Sequence, residues 1–277
     1  MTVTADEGVL LEALLRHLDR VPPLGERTGT DWSGWLVHPG SPLAGDDRKT
    51  DPYQVSHSVH LALVVAVDHL QALATLVKGT EKAGVREMLI HTHAPFTLLR
   101  AALENSARAV WLLGPLLRTE RVWRRLVMQH ADTKNGEAKA KLLGTPRDGD
   151  PTRQRIRQLL VSAGIPESEL TKGKLKLPGY GDLVNDAGSR TPLGGERAEL
   201  FWSACSSLAH GDLSGTLAVL DREVTATDGR VSWLKLTGSI KALLVITKAT
   251  LDMAEYAFEL YSLRATAPYE DWSGRST

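Results

Sequence analysis

The sequence predicts an all-α fold, a helical bundle with long loops and one small β-hairpin. Apolar residues recur with the 3.6-residue period of an amphipathic helix over several long segments, most of which end at glycine or proline. Strand-like segments are confined to the two sides of one Asp-Gly turn. Helices and strands do not alternate along the chain, so a doubly wound parallel sheet is not favoured.

The composition is that of a globular chain without a global charge. The chain has 277 residues, of which 42% are hydrophobic, and this predicts one core with peripheral additions. Lys and Arg total 33, and Asp and Glu also total 33. Because the net charge is zero, the chain as a whole is not attracted to nucleic acid or to an anionic membrane.

We expect a cytoplasmic protein with no membrane partner. Cys205 is the single cysteine, which excludes an intramolecular disulfide and favours a reducing compartment. The first ten residues include Asp6 and Glu7 and no basic residue, unlike a signal peptide. The longest apolar run of the most hydrophobic predicted helix is Leu61–Val67. That run is much shorter than the roughly 20 residues that a membrane span needs.

Residues 1–50 are predicted to form an N-terminal helix and a tryptophan-containing loop packed on the body. A capping-box pair precedes a stripe of leucines, and a Pro-Pro pair is expected to end the helix. Glycines and prolines in residues 20–51 predict a long loop. Because Trp32 and Trp35 lie within this loop, we expect it to pack against the body.

Residues 51–277 are predicted to form the helical bundle domain. Each helix is recognised by its apolar stripe and by a cap, a glycine or a proline near its ends. Pro95 is expected either to kink the second of these helices or to mark its start. The expected helices are residues 51–79, 85–113, 118–143, 152–163, 196–210 and 237–265.

Two parts of this domain are not expected to be helical. Residues 164–195 are rich in Gly, Lys and Pro and are predicted to be irregular. Residues 216–224 and 230–236 flank Asp228-Gly229, a dipeptide typical of a two-residue hairpin turn. These two segments predict the single β-hairpin.

A polar strip interrupts the apolar helix that ends at Leu113. From His93 to Leu113 the only full charges are Arg100, Glu104 and Arg108, and a helix that is apolar on nearly all sides is usually buried. Arg100 and Glu104 stand at i,i+4, within pairing distance. The strip is either a structural ion pair that pins neighbouring helices or the wall of a polar pocket between helices.

His210 is the second candidate functional residue. It ends a predicted helix directly before Gly211 and Asp212, and both the helix C-terminus and the carboxylate favour a protonated imidazole. Asp68 interrupts the apolar face of another helix, and we expect it to be a buried partner for Arg100 or His210.

A weaker alternative is a metal-dependent enzyme that uses His57 and His60. These two histidines share a helix face at i,i+3, a spacing that can ligate a metal. No carboxylate–histidine pair on another helix matches them, so we assign neither a metal nor a cofactor.

The middle of the chain is basic. From Arg118 to Lys176 there are fourteen Lys and Arg and seven Asp and Glu. Such a segment could contact phosphates, but a solvated surface with a lysine-rich loop is the favoured interpretation.

Two segments of the chain resemble a group of uncharacterised all-helical proteins of actinobacteria. The first is residues 98–113, whose helix bears Arg, Glu, Asn and Arg before a Trp-Leu end. The second is residues 206–212, with a serine ahead of a His-Gly helix end. The resemblance spans about residues 55–215. The positions that it carries over are Arg100, Glu104, Asn105, Arg108, Ser206 and His210.

The chain is more distantly similar to the nucleotide-binding helical domains of higher eukaryotes and prokaryotes (HEPN), many of which are ribonucleases of defence or toxin systems. Their signature is Arg, then four to six intervening residues, then His. Arg86 precedes His91 and His93 at suitable spacing, as Arg124 and Arg125 precede His130, whereas His210 has no Arg at that spacing. The resemblance implies a nucleotide or RNA as ligand.

The first functional hypothesis is therefore a HEPN-like pocket for a nucleotide or RNA, with or without ribonuclease activity. The catalytic residues would be His210, which acts as acid and base, and Glu104, which orients one of the two arginines that hold phosphate, Arg100 and Arg108. The residues assigned to ligand binding are Arg100, Asn105, Arg108, Ser206 and Asp68. The alternative is a non-catalytic helical interaction protein in which the same residues form a buried structural network. The sequence leaves open whether the protein is an enzyme, and it is compatible with a homodimer.

Overall fold

The computed structural model describes residues 5–29, 32–82, 85–170, 175–229 and 231–268, and it confirms the all-α class. The first half consists of α1 (Ala5–Leu18), α2 (Val21–Arg27), α3 (Pro42–Thr50), α4 (Val55–Lys78), β1 (Thr80–Lys82), β2 (Val85–Glu87) and α5 (Ala94–Leu113). The second half consists of α6 (Arg118–Leu142), α7 (Asp150–Ser162), α8 (Tyr180–Gly188), α9 (Gly195–His210), α10 (Leu213–Val219), β3 (Asp221–Asp228), β4 (Val231–Thr237) and α11 (Ile240–Ala265).

Helix α5 lies at the centre of the bundle, packed against α4, α11, α8 and α9. Its apolar residues point in nearly every direction, so several neighbours are needed to cover them. Phe96, Leu99, Leu103 and Leu112 are all buried in the main core. The prediction of a buried central helix is confirmed, and it places the charged strip of α5 at the edge of the core.

Helix α4 is long and apolar enough to span a membrane, with a mean hydropathy of 1.6. Its buried side includes Val59, Leu63, Leu70 and Leu73, and it packs mainly against α5. A core helix passes the same test of length and composition, so α4 by itself is weak support for a membrane span.

The prediction of a long loop in residues 20–51 is wrong, because α2, a 3-10 turn at Trp32–Trp35 and α3 lie there. Proline is favoured in the first turn of a helix, so the prolines of this segment mark helix starts rather than breaks. Pro42 opens α3 in this way, and the Ser41 hydroxyl caps that helix by accepting from the amide of Ala44 at 3.1 Å.

The N-terminal segment packs on the body through Trp35. Its indole Nε1 donates to the Arg27 carbonyl at 2.9 Å, and its own carbonyl accepts from the Tyr261 hydroxyl of α11 at 2.8 Å. The Trp35 ring also lies edge-on to His60 and Tyr261. The side chain of Trp32 lies outside the described part of the structure.

The predicted start of α5 at residue 85 is wrong, and Pro95 marks the true start in the first turn of a helix that begins at Ala94. The preceding residues form a second short hairpin, in which Thr80 of β1 pairs with Glu87 of β2. Three-residue strands are too short to show a period in the sequence, so helical periodicity was extended through them.

Two further boundaries differ from the prediction. The irregular segment 164–195 contains α8, and the start of the predicted hairpin contains α10, which is capped by the Asp212 carboxylate accepting from the amide of Ser214 at 3.1 Å. The predicted hairpin itself is confirmed as β3 and β4, with Gly229 in the left-handed region at φ 58°.

A smaller core lies beside the main one. It joins α6 and α7 through the buried residues Val122, Leu126, Ile156 and Leu160, and it is separate from the main cluster. The prediction of a single core with additions therefore holds only for the larger part of the bundle.

A buried ion pair joins α3 to α6. The Asp46 side chain is 0% exposed and that of Arg121 is 3% exposed. The guanidinium donates from Nε to Oδ2 at 2.6 Å and from Nη2 to Oδ1 at 3.0 Å. Arg121 Nη1 also donates to the carbonyls of Pro115 and Leu116, in the turn between α5 and α6. Burial is tolerated here because the charges are paired and the donors satisfied.

Arg264 of α11 reaches the same turn. It donates to the carbonyls of Leu113 and Pro115 at 3.3 and 3.2 Å. Burial first, and then the positive charge of Arg121, lower the pKa of Arg264. Two arginines from separate helices therefore hold the C-terminal end of α5.

Asp46→Asn keeps the side-chain shape but removes the charge that pairs with Arg121. We expect the free energy of unfolding to fall by about 3–5 kcal/mol, because the guanidinium stays buried without its counterion. Urea denaturation followed by circular dichroism measures this change.

The matched control is Asp19→Asn, which removes a partner of Lys78 at 2.7 Å. That pair also joins separate elements, but Asp19 is 68% exposed, so its loss should change the free energy of unfolding by roughly 0–1 kcal/mol. Equal losses in the two variants would contradict a special role for the buried pair.

Candidate functional site

The charged strip of α5 faces α8 and α9. Arg100, Glu104 and Arg108 follow one another at i,i+4 and i,i+8, so they lie along one side of the helix. The side chains of Arg100 and Glu104 are 25% and 15% exposed. The strip therefore lies at the rim of the core, where charges keep contact with solvent.

Arg100, Glu104 and His210 come together, as the first functional hypothesis requires. The Arg100 Nε donates to Glu104 Oε1 at 2.9 Å, and Arg100 Nη1 contacts Nε2 of His210 at 3.0 Å. His210 is the last residue of α9 and is exposed. A single guanidinium thus connects α5 to the end of α9.

The Arg100–His210 contact fixes the role of the imidazole. Arginine has only donors, so a hydrogen bond between these two atoms requires Nε2 to be the acceptor. Asp212, the carboxylate expected to favour a protonated His210, makes its hydrogen bonds with Ser214. Asp212 caps α10 instead, and its hydrogen bonds from Ser214 lower the pKa of that carboxyl group.

Trp202 is a member of the site that the sequence reasoning missed. Its indole Nε1 donates to Glu104 Oε1 at 2.7 Å, and the Arg100 guanidinium carbon lies 5.9 Å from its ring centroid. The signal that could have found it is the need of a partly buried indole N–H for an acceptor. Glu104 accepts from both residues and holds them in place.

Tyr180 was also missed, because α8 was predicted to be irregular. Its hydroxyl accepts a hydrogen bond from Arg108 Nη2 at 2.9 Å, and the guanidinium carbon lies 5.7 Å from its ring centroid. Tyr180 is 41% exposed. The two arginines of the strip therefore each have an aromatic ring from a neighbouring helix beside them.

Three other predicted site residues do not join this contact. Asp68 is exposed on α4, so its interpretation as a buried partner of Arg100 or His210 is wrong. Asn105 donates to the carbonyl of Ala101 in its own helix at 2.9 Å. Ser206 is half-buried on α9, one turn before His210.

On α4, His60 packs against an aromatic side chain of the N-terminal segment. His60 lies edge-on to Trp35 with ring centroids 4.3 Å apart. Burial, and then the charge of His57, lower the pKa of His60. Among the residues that the structure describes, no group of three metal-ligating side chains is brought together.

The first arginines of the basic middle are used inside the fold. Arg121 pairs with Asp46, and Arg124 pairs with Glu120 and Asp186 and donates to the Trp111 carbonyl. These two are therefore not available as phosphate ligands, and the prediction of a solvated surface is wrong for them. Arg124 is also one of the arginines of the HEPN-type spacing.

Comparisons with known protein families, with curated proteins and with solved structures gave no match for this chain. What the site can bind therefore has to be inferred from its own contacts.

The arrangement predicts a defined tautomer for His210. In the neutral imidazole we expect Nδ1 to carry the proton, because only then can Nε2 accept a hydrogen bond from Arg100. Long-range proton–nitrogen NMR correlation of the imidazole measures this, with His210→Gln to assign the signal. A neutral ring protonated at Nε2 would contradict the contact.

A second prediction concerns Cys205, which is fully buried on α9. Burial raises the pKa of its thiol to about 12, against a weaker opposing effect of Arg100. Between the unfolded pKa of about 8.5 and the folded pKa of about 12, ionisation of the thiol favours the unfolded chain. The stability that the neutral buried thiol contributes is therefore complete below about pH 8.5 and is lost as the pH rises toward 12. We expect iodoacetamide to alkylate Cys205 only after denaturation, as measured by mass spectrometry. Native labelling at the denatured rate would contradict this burial.

Proposed function

We propose that the surface formed by α5, α8 and α9 binds single-stranded RNA. The observation that carries the proposal is the contact of Arg100 with His210, in which a guanidinium at the protein surface lies against an exposed imidazole. A guanidinium fork is suited to bidentate recognition of phosphate oxygens. Within the described residues only its Nε and Nη1 have protein partners, so Nη2 remains available to an anion.

The spacing along α5 supports an extended ligand. Arg100 and Arg108 are eight residues apart, which corresponds to about 12 Å along a helix. Trp202 and Tyr180 lie beside them on α9 and α8. Cations that follow a backbone, interleaved with aromatic rings on which bases stack, are typical of surfaces for single-stranded nucleic acid.

Cleavage of the bound RNA is a further step that His210 could perform. Once Arg100 has moved onto a phosphate, the free Nε2 would take the proton of the adjacent 2′-hydroxyl. The 2′-oxygen would then bond to phosphorus, the bond to the 5′-oxygen would break, and that oxygen would take a proton from solvent. Glu104, which accepts from Arg100 and Trp202, would position the guanidinium rather than transfer a proton.

The alternative function is that of a helical interaction protein with a structural polar network. The specific observation in its favour is the pair of hydrogen bonds that Glu104 accepts, one from Arg100 and one from Trp202, at low exposure. Such a network ties α5 to α9 without requiring any ligand.

Arg100→Ala and Arg108→Ala should each weaken RNA binding at least about tenfold, or about 1.4 kcal/mol. Each should also reduce the dependence of the binding constant on salt by about one ion, because each removes one phosphate contact. Fluorescence anisotropy of a labelled single-stranded RNA over a salt series measures both effects. The matched control is Arg16→Ala, whose guanidinium pairs with the exposed Glu12 on the same helix.

His210→Ala separates the two functions. If RNA is the ligand, we expect weaker binding with little change in the melting temperature, since His210 is exposed. If the network is structural, we expect RNA binding by the variant to equal that of the native protein and the free energy of unfolding to fall by about 1–3 kcal/mol. RNA binding that is absent from the native protein, or equally weakened by Arg16→Ala, would overturn the proposal. Shorter RNA products that appear with the native protein and not with His210→Ala would establish cleavage.

A further inference from the structure

A second, independent feature lies between α6 and α7. A cavity of about 990 Å³ opens there, lined on one side by His130 and Lys134 of α6 and on the other by Arg153 and Arg157 of α7. Lys176, which follows the two helices in the chain, completes the wall. The cavity is built by elements other than α5, α8 and α9, so it does not belong to the site proposed for RNA.

The wall of this cavity is strongly cationic. Four side chains with a full positive charge line it, against the single carboxylate of Asp150. Within the described residues Lys134, Arg157 and Lys176 are exposed and have no acidic partner. Three unpaired cations from three segments around one concave surface repel one another, and an anion would remove that repulsion.

Arg153 has a different role from these three cations. Its Nη1 donates to Glu137 Oε2 at 2.6 Å and its Nη2 to Asp150 Oδ1 at 2.6 Å. Glu137 also accepts from the amide of Gly149 at 2.8 Å, at the start of α7. These contacts join α6 to α7 and fix the width of the cavity, while the remaining cations stay unengaged.

The positive charges around the cavity act on the imidazole of His130. Burial first, and then the charges of Arg153, Arg157 and Lys134, lower the pKa of this imidazole. All three arginine and lysine side chains therefore lie close enough to act on one group. The neutral imidazole can still donate or accept a hydrogen bond.

The remaining wall of the cavity is apolar. Leu175 and Leu177 line it together with Ala131, and Leu175 is buried in the small core of α6 and α7. The volume lies within the range of roughly 300–1,000 Å³ found for small-molecule sites. An apolar wall opposite a group of cations suits a molecule with one phosphorylated end and one less polar end.

We propose that this cavity binds a small phosphorylated molecule, with its phosphate groups held by Lys134, Arg157 and Lys176. The less polar part of the ligand lies against Leu175 and Leu177. A polyphosphate fits better than a monophosphate, because three separate cations surround the same space. Arg153 is a positioning residue, because its guanidinium is held by two carboxylates.

The test is calorimetric titration of the full-length protein with pyrophosphate and with ATP. We expect both to bind the native protein, and ATP to bind more tightly, because its base and sugar can use the apolar wall. The double variant Lys134→Glu and Arg157→Glu should weaken both at least tenfold. Both positions are exposed, so the variant should keep the circular dichroism spectrum of the native protein.

The matched control is Lys139→Glu, an exposed lysine of α6 five residues beyond Lys134, about 140° away around the helix. It should leave the binding of both probes unchanged. Failure of the native protein to bind either probe, or an equal loss in Lys139→Glu, would overturn the proposal. Binding of a single-stranded RNA at this cavity without binding of pyrophosphate or ATP would overturn it as well.

The two proposed sites can be separated by crossing their variants. Arg100→Ala should leave the binding of ATP unchanged, and the double variant of the cavity should leave binding of RNA by the α5 surface unchanged. Loss of ATP binding in Arg100→Ala would contradict an independent cavity.

Discussion

The position of α5 depends on the buried pair of Asp46 and Arg121. Arg121 holds α3 and the turn after α5 at the same time, and Arg264 binds that turn from α11. Buried charges stabilise a fold only when each is paired and its donors are satisfied, and this network meets that requirement. With its C-terminal end fixed, α5 presents Arg100 and Arg108 to α8 and α9 in one orientation.

The polar groups of α5 show how a mostly apolar helix can carry charge without burying it. Arg100 and Glu104 lie where the core meets solvent, so the guanidinium keeps both a carboxylate partner and an outward face. His210 approaches from the end of α9, where the last helical turn leaves its ring exposed. The strip combines a rigid support with groups that a ligand can reach, which is the arrangement that binding sites require.

Local features of the sequence predicted local structure well. The all-round apolar character of α5 indicated its burial, and the i,i+4 spacing indicated the ion pair of Arg100 and Glu104. Contacts between remote segments have no period, so Trp202, Tyr180 and the pairing of Asp46 were missed. The short helices α3 and α8 begin at Pro42 and directly after Gly179, two residue types that also occur in loops, and neither helix is long enough to show an extended apolar stripe. The Asp-Gly hairpin was found because its signal lies within two residues.

The division of the interior into two clusters has an energetic consequence. The small cluster under α6 and α7 contains few large side chains, including Val122, Leu126 and Ile156, so this lobe has less hydrophobic support than the main bundle. Parts of a protein with fewer apolar contacts open more often than the rest. A molecule bound between these two helices would make such openings rarer, in proportion to the fraction of protein that holds it. Its binding would therefore make this lobe more rigid while leaving the main bundle unchanged.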